Sequence, residues 1–360
     1  MKQGWRKFMA AASALALMGA VVTGCGSGSG GSAGNTTNTG SSPTPSSSDQ
    51  TVTMRLGIGL NEESTEYKGT VKFQQLVDQY THGSVKVQLF PSGQLGNDLT
   101  MTQQLQSGAL EATIPSTSPI STILPDFALF DLPFLFKDAK VADTVLDGPV
   151  GQDILKELPD KGLVGLAYWE NGFRDLTNSK HPIKTLADLQ GIKLRVMQTP
   201  VHIAFWKALG ANPTPMSFDQ VFNALQQHVI DAQENPIQTI YTQKFYEVQK
   251  YVTLSHHVYT PFVFLVSKIW WDKLTPDQQQ AIQKAAVEAG QYQRQLNRDE
   301  AQQDLDQLKA KGMEVDSLSD SEREQWKQKI QPVYDEFTQK NKDMANKLFD
   351  AIKQAEAQDK

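Results

Sequence analysis

Three polar side chains in the middle of the chain have the chemistry needed to hold an anion. Arg174 follows an apolar segment, Leu163 to Tyr168, that is typical of a strand, and Arg195 and Asn235 lie further along. A planar guanidinium donates two parallel hydrogen bonds to a carboxylate, which a lysine cannot reproduce, and an amide can add one more donor. These residue types predict carboxylate capture, although a surface position is the commoner role of a single arginine on a strand.

The segment around Arg195 has the alternation of a strand that is buried on one face. Ile192, Leu194 and Val196 would face the core, and Lys193 and Arg195 would face the other side. The strand therefore predicts a guanidinium that projects away from the apolar core.

The remaining reactive residue types form no catalytic or metal-binding pattern. The single cysteine, Cys25, excludes an intramolecular disulfide, and no histidine has the spacing of a metal ligand. Two glycine-rich patterns between residues 26 and 34 match a dinucleotide fingerprint and a nucleophile elbow, but neither has a preceding strand or a following helix. We expect no enzymatic activity, no cofactor and no metal ion. The histidines, which we interpret as surface or structural residues, are His82, His181, His202, His228, His256 and His257.

The N-terminal residues have the pattern of an export signal. Basic residues from Lys2 to Lys7 precede an apolar run, Phe8 to Val22, and the segment Val22-Thr23-Gly24-Cys25 matches a bacterial lipobox. We predict a signal peptide over residues 1–24, a lipid on Cys25, and a flexible tether through residue 50 that is rich in Gly, Ser and Thr. An ordinary signal peptide with an incidental cysteine is the alternative.

Composition and patterning beyond residue 50 predict a globular α/β protein. Hydrophobic residues make up 39% of the 360 residues and the net charge is −6, which argues against a nucleic-acid-binding surface. Strand and helix patterns alternate, beginning with a strand over Thr51 to Leu60, a helix over Glu62 to Tyr80 and a strand over Val85 to Phe90.

A long helix is predicted after this alternating region. Thr275 and Pro276 form a helix start, and no helix breaker occurs before Gly312, so the helix exceeds about 30 residues. Its apolar face is predicted to include Ile282, Tyr292 and Leu296. A helix of this length can connect two lobes.

Six short motifs in order give the chain a family resemblance. It resembles the DctP-type solute-binding proteins of tripartite ATP-independent periplasmic (TRAP) transporters, from about Thr51 to beyond Glu300. The motifs are Phe90-Pro91-Ser92-Gly93-Gln94-Leu95-Gly96, Leu132-Pro133-Phe134-Leu135-Phe136, Asn171-Gly172-Phe173-Arg174, Asp188-Leu189-Gln190-Gly191-Ile192-Lys193-Leu194-Arg195, Gly210-Ala211-Asn212-Pro213-Thr214-Pro215-Met216 and Gln233-Glu234-Asn235-Pro236.

The resemblance implies a two-lobed periplasmic-binding-protein-like α/β fold with a hinge-spanning helix. The lobes would comprise residues 51–171 with 260–300, and residues 172–259 with 301–350. In the family the residue at Arg195 grips the ligand carboxylate, Arg174 assists, Asn235 adds a hydrogen bond and Phe218 forms a wall. We also expect four neighbours in the pocket, which are Gln198, Asn171, Trp169 and Phe173.

The resemblance also implies the function. The chain would be an extracytoplasmic, monomeric protein that captures a small organic acid, either a C4-dicarboxylate or a sugar acid such as a uronate. It would deliver this ligand to two integral membrane subunits, and the predicted lipid would anchor it to the cell membrane. A ligand sensor that presents the same acid to a receptor is the alternative.

Overall fold

The computed structural model describes residues 51–358. The predicted signal peptide, Cys25 and the tether lie outside the described residues. No helix in the described part of the chain is long and apolar enough to span a membrane.

Nine strands in residues 51–358 form one mixed sheet, in the order β2-β1-β3-β8-β4-β7-β5-β6, and β9 pairs with β8. The α/β prediction is confirmed. The strands are β1 (Val52–Gly57), β2 (Val85–Phe90), β3 (Ala112–Thr113), β4 (Leu163–Asn178), β5 (Lys193–Val196), β6 (Asn212–Pro215), β7 (Ala232–Asn235), β8 (Tyr251–Ser267) and β9 (Glu314–Ser317).

Helices cover the sheet and fill the connections between strands. They are α1 (Thr65–Tyr80), α2 (Asp98–Ser107), α3 (Thr117–Ile120), α4 (Ala139–Asp147), α5 (Pro149–Leu155), α6 (Pro200–Ala208), α7 (Val221–Gln226), α8 (Ile237–Thr242), α9 (Lys268–Trp271), α10 (Pro276–Ala310), α11 (Asp320–Lys329), α12 (Gln331–Lys340) and α13 (Lys342–Gln358). Short 3-10 turns add Pro125–Asp131, Leu158–Lys161, Leu186–Leu189, Phe218–Gln220 and Phe245–Glu247.

Strand directions give the sheet two sets of parallel strands that point toward each other. Strands β1, β2 and β3 are parallel, as are β5, β6 and β7, and the long antiparallel pair β4 and β8 joins the two sets. Because β3 is antiparallel to β8 and β7 is antiparallel to β4, the two sets run in opposite directions. Their carboxyl ends therefore meet near the middle of β4.

The buried apolar residues of the described chain form three clusters. Met54, Phe73 and Phe264 belong to the core beside β1, and Val221 and Ile240 belong to the core beside β7. A larger cluster includes Leu194 and Val196 of β5 and Ala232 of β7, and it extends to α13, which packs against α4 and α5. The fold is two-lobed, and the lobe bounds given above remain a prediction.

The predicted long helix is confirmed as α10, which has 35 residues and a capping box formed by Thr275 and Gln278. At 1.5 Å per residue it is about 52 Å long. Its predicted apolar face is only partly correct, because Ile282 is buried but Tyr292 is 43% exposed.

In its second half, α10 buries polar side chains, whereas Tyr292 is exposed. These polar side chains form hydrogen bonds with β4. Gln293 accepts a hydrogen bond from the Glu170 amide at 2.9 Å, and Arg294 donates to the Tyr168 carbonyl at 2.8 Å. Asn297 Nδ2 donates to Glu170 Oε1 at 2.9 Å. The helix therefore packs on the crossing strand through hydrogen bonds as well as apolar contacts.

Candidate ligand-binding site

A cavity of about 340 Å³ lies where the carboxyl ends of the two parallel sets meet. Chain segments that follow β1, β2, β3, β5, β6 and β7 line it. The strands themselves contribute Asn171 from β4, Arg195 from β5, Asn235 from β7 and Phe262 from β8. Crevices at the carboxyl ends of strands are the usual ligand sites of open α/β sheets, and this volume suits a small molecule. The fold therefore identifies the cavity as the candidate binding site.

Arg195 lies on the wall of this cavity, on β5. Its Nε and Nη2 atoms donate to the carbonyl oxygen of Met216 at 2.9 and 2.8 Å. Its Nη1 atom is buried without a hydrogen-bond partner among the described residues, and its guanidinium carbon lies 5.9 Å from the centre of the Phe218 ring. One edge of the guanidinium is thus fixed by the protein, and Nη1 is available to a ligand.

Arg195 stays positively charged at neutral pH. Burial lowers the pKa of its guanidinium to about 10, while the carboxylates of Glu234, Asp98 and Asp219 oppose the decrease. A buried cation with a free donor is well suited to a carboxylate ligand.

Arg174 has a different position from the one predicted. It is fully buried but does not line the cavity, because its Nε and Nη2 atoms donate to the carboxylate of Glu234. Nη2 also donates to Oδ1 of Asn235 at 3.1 Å. Arg174 therefore reaches the cavity only through Asn235, which is itself a lining residue.

A buried polar network continues behind Arg174. Burial raises the pKa of Glu234. The charge of Arg174 and a hydrogen bond from His257 outweigh burial and hold this pKa well below its ordinary value. His202 is also fully buried, and burial lowers its pKa to about 3, so the ring is neutral. Neither ring nitrogen of His202 has a hydrogen-bond partner among residues 51–358. The network supports the wall and leaves Arg195 as the cation at the cavity.

Five of the eight predicted ligand-binding residues line the cavity. They are Arg195, Asn235, Phe218, Gln198 and Asn171. Asn171 is held by a hydrogen bond from its Nδ2 to Ser116 Oγ at 3.2 Å. The ligand contacts of these five residues remain a prediction.

Trp169 and Phe173 do not line the cavity, in contrast to the five residues above. Trp169 is fully buried, and its indole N–H donates to the Ala286 carbonyl at 3.0 Å. Phe173 packs on Tyr259, with ring centres 5.1 Å apart, and lines a separate surface groove. The pairing of β4 with β8 shifts register between Glu170 and Gly172, so simple alternation does not predict which side chains share a face with Asn171.

Sequence reasoning missed several polar residues of the cavity. Glu66 is 1% exposed and lines the cavity, and the backbone amide of Leu60 is the one hydrogen-bond donor that acts on its carboxyl group among the described residues. Thr239 Oγ1 and Gln243 Nε2 are buried and have no hydrogen-bond partner within the described range, whereas Asp98 accepts a hydrogen bond from the Ser116 amide at 3.0 Å. Buried polar atoms are normally paired, so this set indicates a cavity prepared for a polar ligand.

The sequence contained only weak signals for these residues. Glu66 follows the Ser64 N-cap of α1, where an acidic residue is explained by the helix dipole alone. Asp98 lies two residues beyond the Phe90–Gly96 motif, which did indicate its neighbourhood. No group of residues that could hold a metal ion occurs in the described part of the chain.

Comparison with known proteins gives the family. Residues 56–341 match the model of DctP, described as bacterial extracellular solute-binding protein, family 7. The chain belongs to this family. This membership confirms the resemblance and makes the protein a solute-binding component rather than an enzyme.

Individual relatives are named for different ligands. A solved structure of the sugar acid binding protein DctPAm from Advenella mimigardefordensis, in complex with galactonate, is 47% identical with a TM-score of 0.83, covering 84% of this chain and 98% of that one. The 2,3-diketo-L-gulonate-binding periplasmic protein YiaO of Escherichia coli is 41% identical, covering 72% of this chain and 79% of that protein. The C4-dicarboxylate-binding periplasmic protein DctP of Rhodobacter capsulatus is 36% identical, covering 76% of this chain and 82% of that protein. These relatives are named as binding proteins, which does not favour the sensor alternative.

Proposed function

We propose that this TRAP-type solute-binding protein captures a sugar acid with one carboxylate and several hydroxyl groups. Arg195 binds the carboxylate, and the protein delivers the acid to the integral membrane subunits of its transporter. The observation that carries this proposal is the balance of charge in the cavity. Among the described lining residues, Arg195 is the one cation, and the acidic residues are Glu66, Asp98 and Asp219.

This distribution of charged residues also argues against a C4-dicarboxylate as the ligand. A second carboxylate on the ligand would have no second arginine or lysine in the described lining and would face acidic side chains. Hydroxyl groups, in contrast, can donate to carboxylates and amides. Neutral hydrogen-bonding residues complete the wall, and they are Ser92, Asn97, Ser116, Asn171, Gln198, Ser217, Asn235, Thr239 and Gln243. Two of the three relatives described above are named for sugar-derived acids, which supports this choice.

A thermal-shift screen followed by calorimetric titration tests the ligand class. The screen compares D-galactonate, D-gluconate and D-glucuronate with succinate, malate and fumarate. A ligand at 100 times its Kd stabilises the folded protein by about 2.7 kcal/mol. Stabilisation by the C4-dicarboxylates and not by any sugar acid would overturn the proposal.

We also propose that the lobes close on the ligand. Support comes from the crossing strands, because β4 changes register against β8 on both sides of Gly172, which has a φ of +121°. Such an interruption lets the two ends of a long strand change direction independently. Small-angle scattering should show a smaller radius of gyration once a tightly binding acid is added, and an unchanged curve at saturation would contradict closure.

Extracytoplasmic residence follows from the family, and we propose in addition that a lipid on Cys25 anchors the protein. The lipobox-like segment Val22 to Cys25 supports this proposal. Cys25→Ser should move the protein from the membrane fraction to the soluble extracytoplasmic fraction without loss of ligand binding. Mass spectrometry of the wild-type protein should find an acylated N-terminal Cys25, and a mature N-terminus at another residue would exclude the anchor.

A further inference from the structure

Asn61 forms a hydrogen bond between the two sides of the cavity. It lies in the segment that follows β1, and its Nδ2 atom donates to the carbonyl oxygen of Thr242 at 2.8 Å. Thr242 is the last residue of α8, which follows β7. Because β1 and β7 belong to the two opposed sets of strands, this bond joins chain segments that closure of the lobes would bring together.

The bond lies at the edge of the cavity. Leu60 and Gln243, which are the sequence neighbours of the two bonded residues, both line it. Neither Asn61 nor Thr242 is among the described residues that line the cavity. Asn61 is therefore placed to hold the two walls together rather than to contact the ligand.

The local turn fixes the direction of the Asn61 amide. Its Oδ1 atom accepts from the Glu63 amide at 3.2 Å, and its backbone carbonyl accepts from the amide and the hydroxyl of Ser64 at 3.1 and 2.7 Å. Ser64 in turn is the N-cap of α1. Since Oδ1 is used within the turn, Nδ2 is already directed at the opposite side, and little side-chain freedom is lost when the bond forms.

Thr242 supplies an acceptor that its own helix does not use. The last carbonyl groups of an α-helix have no partner within the helix and bond to water or to another segment. In an open form water would bond to both the amide and the carbonyl, so the net gain from the direct bond is modest. The contact is therefore reversible, as release of a ligand requires.

Apolar packing also crosses the cavity. Phe218, in the segment after β6, packs against the cluster that contains Met54 of β1 and against the cluster that contains Ile240 of α8. The two sides of the cavity are thus in contact in this structure, and the bond from Asn61 belongs to that arrangement.

We propose that Asn61 is a latch residue, which stabilises the closed form through the Thr242 carbonyl and so lengthens the time that a bound acid stays in the cavity. This inference rests on the proposed closure of the lobes and not on the class of acid. The ligand enters the open form, in which the bond is absent, so loss of the latch should act on the dissociation rate rather than on the association rate.

The test variants are Asn61→Asp and Asn61→Ala, with Asn212→Asp as the matched control. The first substitution keeps Oδ1 for the Glu63 amide and turns the donor into an acceptor that faces the Thr242 carbonyl, and the second removes the donor without adding charge. Asn212 Nδ2 donates to the Gly191 carbonyl at 3.2 Å on one side of the cavity. The control therefore loses the same kind of bond without affecting contact between the lobes.

Stopped-flow tryptophan fluorescence measures both rates, with whichever of the six acids named above stabilises the wild type most. Both Asn61 variants should release this acid about three- to tenfold faster, the range expected for one hydrogen bond. Their association rates and both rates of Asn212→Asp should stay within twofold of the wild type. A rise in the dissociation rate of less than twofold in either Asn61 variant overturns the latch and leaves the proposed function in place.

Affinities for two acids of the same screen separate a latch from a ligand contact. A latch strengthens binding of every acid equally, so Asn61→Ala should leave the ratio of the two Kd values unchanged. A change of more than threefold in this ratio would place Asn61 against the ligand and overturn the inference. Failure of the wild type to bind any of the six acids overturns the proposed function, an unchanged scattering curve at saturation overturns closure, and either result removes the latch with it.

Discussion

Arg174 donates hydrogen bonds from Nε and Nη2 to the two carboxylate oxygens of Glu234, and both side chains are fully buried. Arg195 instead uses its Nε and Nη2 atoms on a backbone carbonyl, and Nη1 has no hydrogen-bond partner among the described residues in either arginine. The two arginines are 21 residues apart in sequence and have opposite electrostatic roles. Arg174 is paired with a buried carboxylate, whereas Arg195 lines the cavity and forms no ion pair within residues 51–358.

Removing the guanidinium of Arg195 should weaken binding of the cognate acid. Arg195→Ala leaves the ligand carboxylate without its partner, which costs about 2–5 kcal/mol. At 1.4 kcal/mol per tenfold, the Kd measured by calorimetry should rise roughly thirty- to several-thousand-fold. Arg195→Lys should recover part of this loss, since it keeps the charge but loses the planar donor arrangement. Lys193→Ala, at an exposed position of the same strand, is the control. Binding by Arg195→Ala within threefold of the wild type would show that the carboxylate is held elsewhere.

Replacing Arg174 should instead reduce stability. Arg174→Met leaves the carboxylate of Glu234 buried without its main partner, and breaking such a pair costs about 3–5 kcal/mol. The free energy of unfolding in urea at pH 7 measures this cost. Lys340→Met, which removes an ion pair with Glu336 whose side chains are 59% and 54% exposed, should change it by less than about 1 kcal/mol. A loss of less than 1 kcal/mol for Arg174→Met would contradict the assignment.

Asp131 should make stability depend on pH near neutrality. Burial raises its pKa to about 7, against hydrogen bonds from Ser118 and Thr199. The folded protein therefore keeps this proton to a higher pH than the unfolded chain does, so the contribution of Asp131 to stability decreases as the pH rises through about 7. Glu234, with its lowered pKa, acts in the opposite sense and only at acid pH.

Asp131→Asn tests this dependence. Urea unfolding at pH 5 and at pH 8 should show that the variant gains about 1–3 kcal/mol relative to the wild type between the two values. The same difference between variant and wild type at both pH values would mean that Asp131 titrates near its ordinary value.

Gly290 should not tolerate a methyl group despite its position inside a helix. Glycine in a helix interior is usually about 1 kcal/mol worse than alanine, so Gly→Ala is ordinarily stabilising. Here the added Cβ would lie 2.6 Å from Cδ1 and 2.7 Å from Nε1 of Trp169. We expect Gly290→Ala to cost about 1–3 kcal/mol of unfolding free energy. In a Trp169→Phe background the cost should decrease, and a cost that is independent of residue 169 would exclude this contact as the cause.

Local patterns predicted the regular elements of the fold. The strand Val85–Phe90 has the predicted bounds because alternation is visible within six residues, and α10 begins at Pro276 because its cap is encoded by adjacent residues. Strand β4 was predicted only to Tyr168 but continues to Asn178. Its second half buries polar residues whose partners come from α10 and β7, and a local pattern cannot show such distant pairing.

Part of the candidate binding site was also predictable from the sequence. Arg195 was identifiable because it interrupts an apolar strand and matches a family motif. The positions of Trp169 and Phe173 away from the cavity could not be predicted, because the register shift in β4 is not visible in the sequence. Glu66 was missed because an acid in the first turn of a helix has an ordinary explanation, and only the fold shows that its side chain is buried beside a cavity.

The carboxyl ends of the two sets of parallel strands meet at the cavity. Most of the cavity wall is therefore made by segments that begin where one of these strands ends. These segments lie outside the strands, so their cavity-lining side chains do not take part in the pairing of the sheet. If Arg195 binds the ligand carboxylate as proposed, β5 sets the charge of the ligand, and the segments after the other strands are the place to alter its size and stereochemistry. A designer who wishes to redirect the protein to a new acid, for example as the sensing element of a metabolite reporter, can vary the segments after β1, β2 and β3 and leave the scaffold intact.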